Sequence, residues 1–297
     1  MTGYRESVLP FECGGCWLTG IVATPDKPER AADTAVIIVV GGPQYRAGSH
    51  RQFVLLSRSL AAAGYLALRF DYRGMGDSGG ELHDFEQVND DIGAAVEAVQ
   101  AAHPGIRRFV LWGLCDGASA ALLYLNAARD ARIAGLCLVN PWVRSELSQA
   151  KTQLKHYYLA RLRQREFWLK LLSGKVATTA LRELLQNIRI ARAGTTASQG
   201  SAQAASDKRA PYQQQMAQGL ADFPGSTLIL LSTNDYTAKE FMDHASSDPT
   251  WSRAMKQTRV TIRHLEGADH TCSEPAAQAD LVYSSIKWLR SVYSPQP

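Results

Sequence analysis

Residues 108–117, Arg-Phe-Val-Leu-Trp-Gly-Leu-Cys-Asp-Gly, decide the fold. An apolar run, 108–113, reads as a buried strand, and an Ala-rich pattern over 116–129 reads as a helix. Between them stands G-x-C-x-G: Gly113, Leu114, Cys115, Asp116, Gly117. A turn this tight from strand to helix has no room for side chains two residues before or after its centre, so glycines are expected there. The central residue is thrust out at the helix N-terminus. A sulfur at that point meets the positive end of the helix dipole, which favours the thiolate. The N–H of Asp116 would face an oxyanion formed on an attacked carbonyl. The Asp116 carboxylate would oppose a thiolate unless it points away as a helix cap.

Outward from this turn the chain alternates. Apolar, β-branched runs occur at 16–23, 35–40, 65–70, 133–139, 227–232 and 259–264, and helical patterns at 51–63, 86–102 and 275–292. Strands that are apolar almost throughout must be covered on both faces. The reading is therefore an α/β fold, with a doubly wound, mostly parallel sheet and right-handed crossovers. Gly14-Gly15 marks a hairpin whose second arm is 16–23. The alternation stops at 142–215, where Leu154, Tyr158, Leu162, Leu169 and Leu172, then Leu181, Leu184, Leu185 and Ile188, take helical spacing. Residues 193–209 are small and polar and read as a mobile loop. The expected division is a core over 1–141 and 216–297 with an inserted helical cap over 142–215.

Composition narrows the class. The 297 residues are 45% hydrophobic and 20% charged, which suits a large core and excludes global disorder. No 18-residue apolar run reads as a membrane span, and the first residues do not read as a secretory signal. An odd cysteine count, five, fits a reducing cytoplasm better than a disulfide framework. Net charge is +4, yet residues 142–193 alone hold eleven Lys/Arg and three Asp/Glu, hence +8. Such a segment can attract an anionic membrane surface, another polyanion or a phosphorylated substrate, and reads equally as a solvated helix surface. No phosphate loop, dinucleotide fingerprint or zinc set is present, so neither cofactor nor metal is expected, and no nucleic-acid partner. Cys13-Gly-Gly-Cys16 reads as strand cysteines flanking a turn, and Cys137 as a buried strand residue.

Further motifs carry a family resemblance. Asp71-Tyr72-Arg73-Gly74-Met75-Gly76-Asp77-Ser78 resembles the D-x-R-G-x-G-x-S loop after the fourth strand of α/β-hydrolases, and Gly41-Gly42-Pro43 resembles their H-G-x-P oxyanion loop, with Val40 where His usually stands. With GLCDG, GGPQYRAGSHRQF, TNDYTAKEF and GADHT, the chain is similar to a narrower group, the exosortase A system-associated hydrolases, type 1. That resemblance implies a setting of bacterial exopolysaccharide export and protein sorting. It also implies Gly42 as second oxyanion donor, with Gln44 as the alternative, since Pro43 has no N–H. Arg73 and Asp77 are expected to tie their loop together.

In this fold the chain order is nucleophile, acid, His. Asp235 follows the 227–232 strand and His270 the 259–264 strand, where open α/β sheets place ligands. His270 is the expected base and Asp235 its orienting acid, with Asp243 as rival and Asp269 too near His270 in sequence. Of the other histidines, His264 lies in a strand, His103 in a connection, His156 in the cap and His244 after Asp235, while His50 could touch substrate. Cys272 could line the pocket. The expected activity is acyl transfer from an ester or thioester to water or to a sugar or lipid hydroxyl. The alternative is a binding or accessory protein without turnover.

Overall fold

A computed structural model describes residues 3–27, 32–42, 44–144 and 210–293. The arms of the N-terminal hairpin, β1 (Tyr4–Cys13) and β2 (Cys16–Pro25), pair antiparallel with Cys13 opposite Cys16. Then follow β3 (Thr34–Val39), α1 (Gln52–Ala62), β4 (Leu66–Phe70), α2 (Asn89–Ala102), β5 (Arg108–Leu114), α3 (Asp116–Ala128) and β6 (Ile133–Val139). After the undescribed stretch come α4 (Tyr212–Asp222), β7 (Ser226–Ser232), α5 (Tyr236–Ser247), α6 (Pro249–Met255), β8 (Val260–Leu265) and α7 (Pro275–Val292).

The eight strands form one sheet in the order β1-β2-β4-β3-β5-β6-β7-β8. The pairings of β2 with β1 and β4 are antiparallel, and all others are parallel. The expected doubly wound, mostly parallel sheet is therefore present. The period of two along each strand divides the core. Ala35, Ile37 and Val39 of β3 pack with α2, α3 and α4, while Val36, Ile38 and Val40 pack with α1 and α7. β5 does the same, sending Phe109 and Leu111 to one layer and Val110, Trp112 and Leu114 to the other. Strand order reverses at β3, where β4 lies on one side and β5 on the other, so the loops after β3 and β5 diverge around a crevice.

Strands agree with the sequence reading to within a residue or so. Three helices, α4, α5 and α6, have no counterpart in it. α4 starts at Tyr212, inside the span expected for the insertion, and packs on α3 with Met216, Ala217 and Leu220 buried. Val143 is buried in the same layer. Residues 145–209, with His156 and most of the expected cap and its basic excess, lie outside the described residues. Among the described residues, no helix is long and apolar enough to cross a membrane.

Candidate active site

Cys115 sits at φ 59°, ψ −125°, a conformation costly for a side chain bearing a Cβ and held only where the surroundings impose it. Close packing imposes it here. A Cβ on Gly113 would lie 2.5 Å from the Gly117 carbonyl carbon, and one on Gly117 would lie 2.4 Å from the Val39 carbonyl oxygen. The Cys115 N–H donates to the Val139 carbonyl of β6 at 2.9 Å. Its own carbonyl accepts from the N–H groups of Ala118 and Ser119, which fixes the first turn of α3. The side chain stays half-buried at the helix N-terminus, as the turn requires.

The chain then brings His270 and Asp235 to this sulfur. Asp235 ends the β7 loop as the N-cap of α5, and its carboxylate accepts from the N–H groups of Thr237 at 3.0 Å and Ala238 at 3.3 Å. That capping fixes the side chain, whose Oδ2 lies 2.8 Å from His270 Nδ1. The imidazole also hydrogen-bonds the Cys115 sulfur, which leaves Nε2 as the nitrogen facing it. These two bonds, the Asp235 bond foremost, push His270 up to about 10 from 6.5, against the effect of burial. The ring therefore holds its proton more tightly than a free imidazole does. Of the rival acids, Asp269 is turned to Ser273, whose N–H it accepts at 2.8 Å, and Asp243 lies on α5, past the cap that Asp235 forms.

One residue of this region escaped the sequence reading. Asn140, fully buried at φ 45°, donates to Ser232 Oγ at 3.0 Å and to the His270 carbonyl at 3.2 Å, while its Oδ1 accepts from the Ser232 N–H at 2.8 Å. It ties the ends of β6 and β7 to the His270 loop. An Asn directly after an apolar strand, and before Pro141, was the available signal.

The loop after β3 approaches the elbow on its other side. A Cβ on Gly41 would meet the Leu114 carbonyl oxygen at 2.3 Å and Asp116 Oδ1 at 2.4 Å, so only glycine admits this approach. The Asp116 carboxyl lies between the Gly41–Gly42 loop and the start of α3, with the N–H groups of Gly42, Gly117 and Asp116 turned to it. Burial pushes this carboxyl up from 3.8, against the pull of the Gly42 and Gly117 N–H groups that face it and of the His270 charge. The Gln44 side chain braces the loop, its Oε1 accepting from Gln52 Nε2 at 3.2 Å.

A cavity of about 610 Å³ adjoins Gly42 and Asp116, with Tyr72, Met75, Leu82 and Phe85 in its wall. Beneath it the fourth-strand loop is held by ion pairs. Buried Asp71 and exposed Asp77 share Arg46, and Arg73 pairs with buried Asp91 at 2.8 Å. Arg73 and Asp77 thus tie the loop as expected. The other cysteines are placed differently from Cys115. Burial raises Cys137 to about 12 and Cys272 to about 11, and Cys13 upward as well. His50 stands at φ 53° in a short turn (Ser49–Arg51) before α1, where its charge reaches Asp269.

A family model for the alpha/beta hydrolase family matches residues 36–281. The chain belongs to the alpha/beta hydrolase family. Solved structures of the family repeat its fold. The Pyrococcus furiosus esterase Pf2001 superposes with a TM-score of 0.64 at 14% identity, over 98% of this chain and 94% of that one. A fungal esterase from Rhizomucor miehei gives 0.62 at 16% identity, over 98% and 84%. No curated protein sequence matches this alpha/beta hydrolase.

Proposed function

We propose that this alpha/beta hydrolase is an acyl-transfer enzyme with Cys115 as nucleophile, His270 as base and acid, and Asp235 as the group that orients His270. The observation that carries the reading is the single imidazole bonded to both the Asp235 carboxylate and the Cys115 sulfur. A thiolate that has given its proton to His270 attacks the carbonyl carbon of an ester or thioester, and the carbonyl π pair moves to oxygen. The N–H groups of Asp116 and Gly42 are its proposed donors. When the carbonyl re-forms, the bond to the leaving alkoxide or thiolate breaks, and the leaving group takes the His270 proton. A water or hydroxyl acceptor, deprotonated by His270, then attacks the acyl-cysteine and restores the thiol pair.

The apolar wall of the adjoining cavity, Met75, Leu82 and Phe85, suits an acyl chain. That P. furiosus Pf2001 and the R. miehei protein are esterases supports an ester substrate by analogy of fold. The resemblance to the exosortase A system-associated hydrolases supplies a setting, exopolysaccharide export, in which a sugar or lipid hydroxyl would compete with water for the acyl group. An acyl-cysteine keeps enough transfer potential for either acceptor.

Cys115→Ala is expected to abolish turnover of aryl esters and acyl-thioesters while its melting temperature stays within a few degrees of wild type. His270→Ala and the double variant should lose about as much as Cys115→Ala alone, because the residues act as a unit. Full activity in Cys115→Ala would overturn the mechanism. Absence of turnover in the wild type, together with a Cys115 inert to iodoacetamide at neutral pH, would favour a binding protein.

A further inference from the structure

We propose that the Asp116 side chain is itself a catalytic group: as the uncharged acid it donates a hydrogen bond to the acyl oxygen, beside the N–H groups of Asp116 and Gly42. The inference rests on the acyl-transfer reading and adds a residue to it.

Three observations lead there. First, the carboxyl lies where the reacting oxygen must come. Its Oδ1 is packed against Gly41, and the Gly42 N–H, one of the two proposed donors, faces it. An oxygen held by the N–H groups of Asp116 and Gly42 therefore touches this carboxyl. Second, Oδ1 is buried and makes no well-aligned hydrogen bond, although the Gly42, Gly117 and Asp116 N–H groups face the carboxyl. A buried carboxylate oxygen without a donor is costly, and a proton on the group removes most of that cost. Third, no Lys or Arg compensates it among the described residues. The titratable groups that face it are Cys115 on its own turn, His270 from the loop after β8, Tyr72 from the loop after β4, and His83 and Asp84 on the same cavity. Arg46, the nearby guanidinium, is bound to Asp71 and Asp77. Burial pushes the Asp116 carboxyl above its ordinary value, and the three backbone N–H groups of Gly42, Gly117 and Asp116, then the His270 charge, work against it.

The chemistry balances without a co-reactant. As the Cys115 sulfur bonds to the carbonyl carbon, the π pair moves to oxygen, and the Asp116 O–H donates a hydrogen bond to it. When the carbonyl re-forms and the leaving group departs with the His270 proton, Asp116 keeps its own. An ionised Asp116 would instead set a negative charge against the oxyanion and compete with it for the same N–H groups.

The test compares wild type, Asp116→Asn and Asp116→Ala by the pH profile of kcat/KM on a small neutral aryl ester, with thermal melts to confirm folding. Wild-type activity should fall as pH rises through the Asp116 ionisation. Asp116→Asn, whose amide donates at every pH, should lack that fall. Asp116→Ala should be slower by about 100-fold where the wild-type acid is neutral, the loss typical of one oxyanion donor. Superimposable wild-type and Asn profiles, or an Asn variant as slow as Ala at every pH, would overturn the proposal. If the wild type turns over no acyl probe, the acyl-transfer reading has failed on its own. The Asp116 inference is then decided by ¹³C NMR titration of its carboxyl: a group already ionised at neutral pH overturns it, and one still protonated there supports it.

Discussion

Two titratable side chains set the electrostatics around Cys115, and in their charged forms their effects oppose each other. His270 brings a cation to the sulfur, whereas Asp116 would bring an anion to the neighbouring oxyanion site unless it is protonated. Two unit charges about 4 Å apart near a protein surface interact by about 4 kcal/mol, enough to decide a rate. The His270 arrangement has a consequence for stability. Its pKa is about 10 in the folded chain against 6.5 ordinarily, so folding tightens its hold on a proton. The resulting stabilisation is whole below pH 6.5 and is lost as pH rises through about 10. Asp235→Asn removes the main cause. The gap in urea midpoint between wild type and Asp235→Asn should therefore be wider near about pH 6 than near about pH 10.5. An equal gap at both would mean that Asp235 acts only as the cap of α5.

At the scale of elements, the site depends on how closely α3 and the loop after β3 meet. Gly117 lies against the backbone of Val39 and Val40, with no space for a methyl group. Gly117→Ala forces the N-terminus of α3 away from β3 and with it the Cys115 turn. Overpacking of this kind costs about 1–3 kcal/mol, so the urea midpoint should drop accordingly. Activity should fall by more than the loss of folded protein accounts for. An Ala variant with wild-type stability would show that the two backbones can separate freely. The strands were legible because burial on both faces makes them apolar throughout, as in Thr34–Val39, which is buried at every position. α5 was not, since its buried side holds Thr237, Ala238, Glu240 and Ala245 around the one large residue Phe241, which packs on Trp251 of α6. Small and polar contacts leave no apolar stripe to read.

At the scale of the whole molecule, charge is unevenly distributed. The +8 of residues 142–193 must be offset elsewhere, since the total is +4. Exposed charges attract anionic surfaces over a screening length of about 8–10 Å at physiological salt. We propose an anionic membrane surface or an anionic acyl donor as the partner of this segment. Its binding to anionic liposomes, or turnover of the anionic donor, should weaken as salt rises from roughly 0.05 to 0.5 M. Turnover of a small neutral ester should change little, and replacing Arg161, Arg163 and Arg165 by Gln should reproduce the high-salt behaviour. If neither salt nor the triple replacement alters any assay, the basic segment is a solvated surface only.

By itself the sequence determined the parallel sheet, the turn that carries Cys115, and Asp235 and His270 past successive strands. Each is written in local pattern: apolar runs, glycine spacing and chain order. Tertiary structure alone decided that Asp235, rather than Asp243 or Asp269, meets His270, because that contact depends on which carboxylate the N-terminus of α5 holds in place. It also decided that Asn140 ties three loops together, and that the Asp116 carboxyl is packed between Gly41 and the start of its own helix. Those outcomes follow from backbones distant in sequence being packed until only one side-chain direction remains open, and no local pattern encodes that.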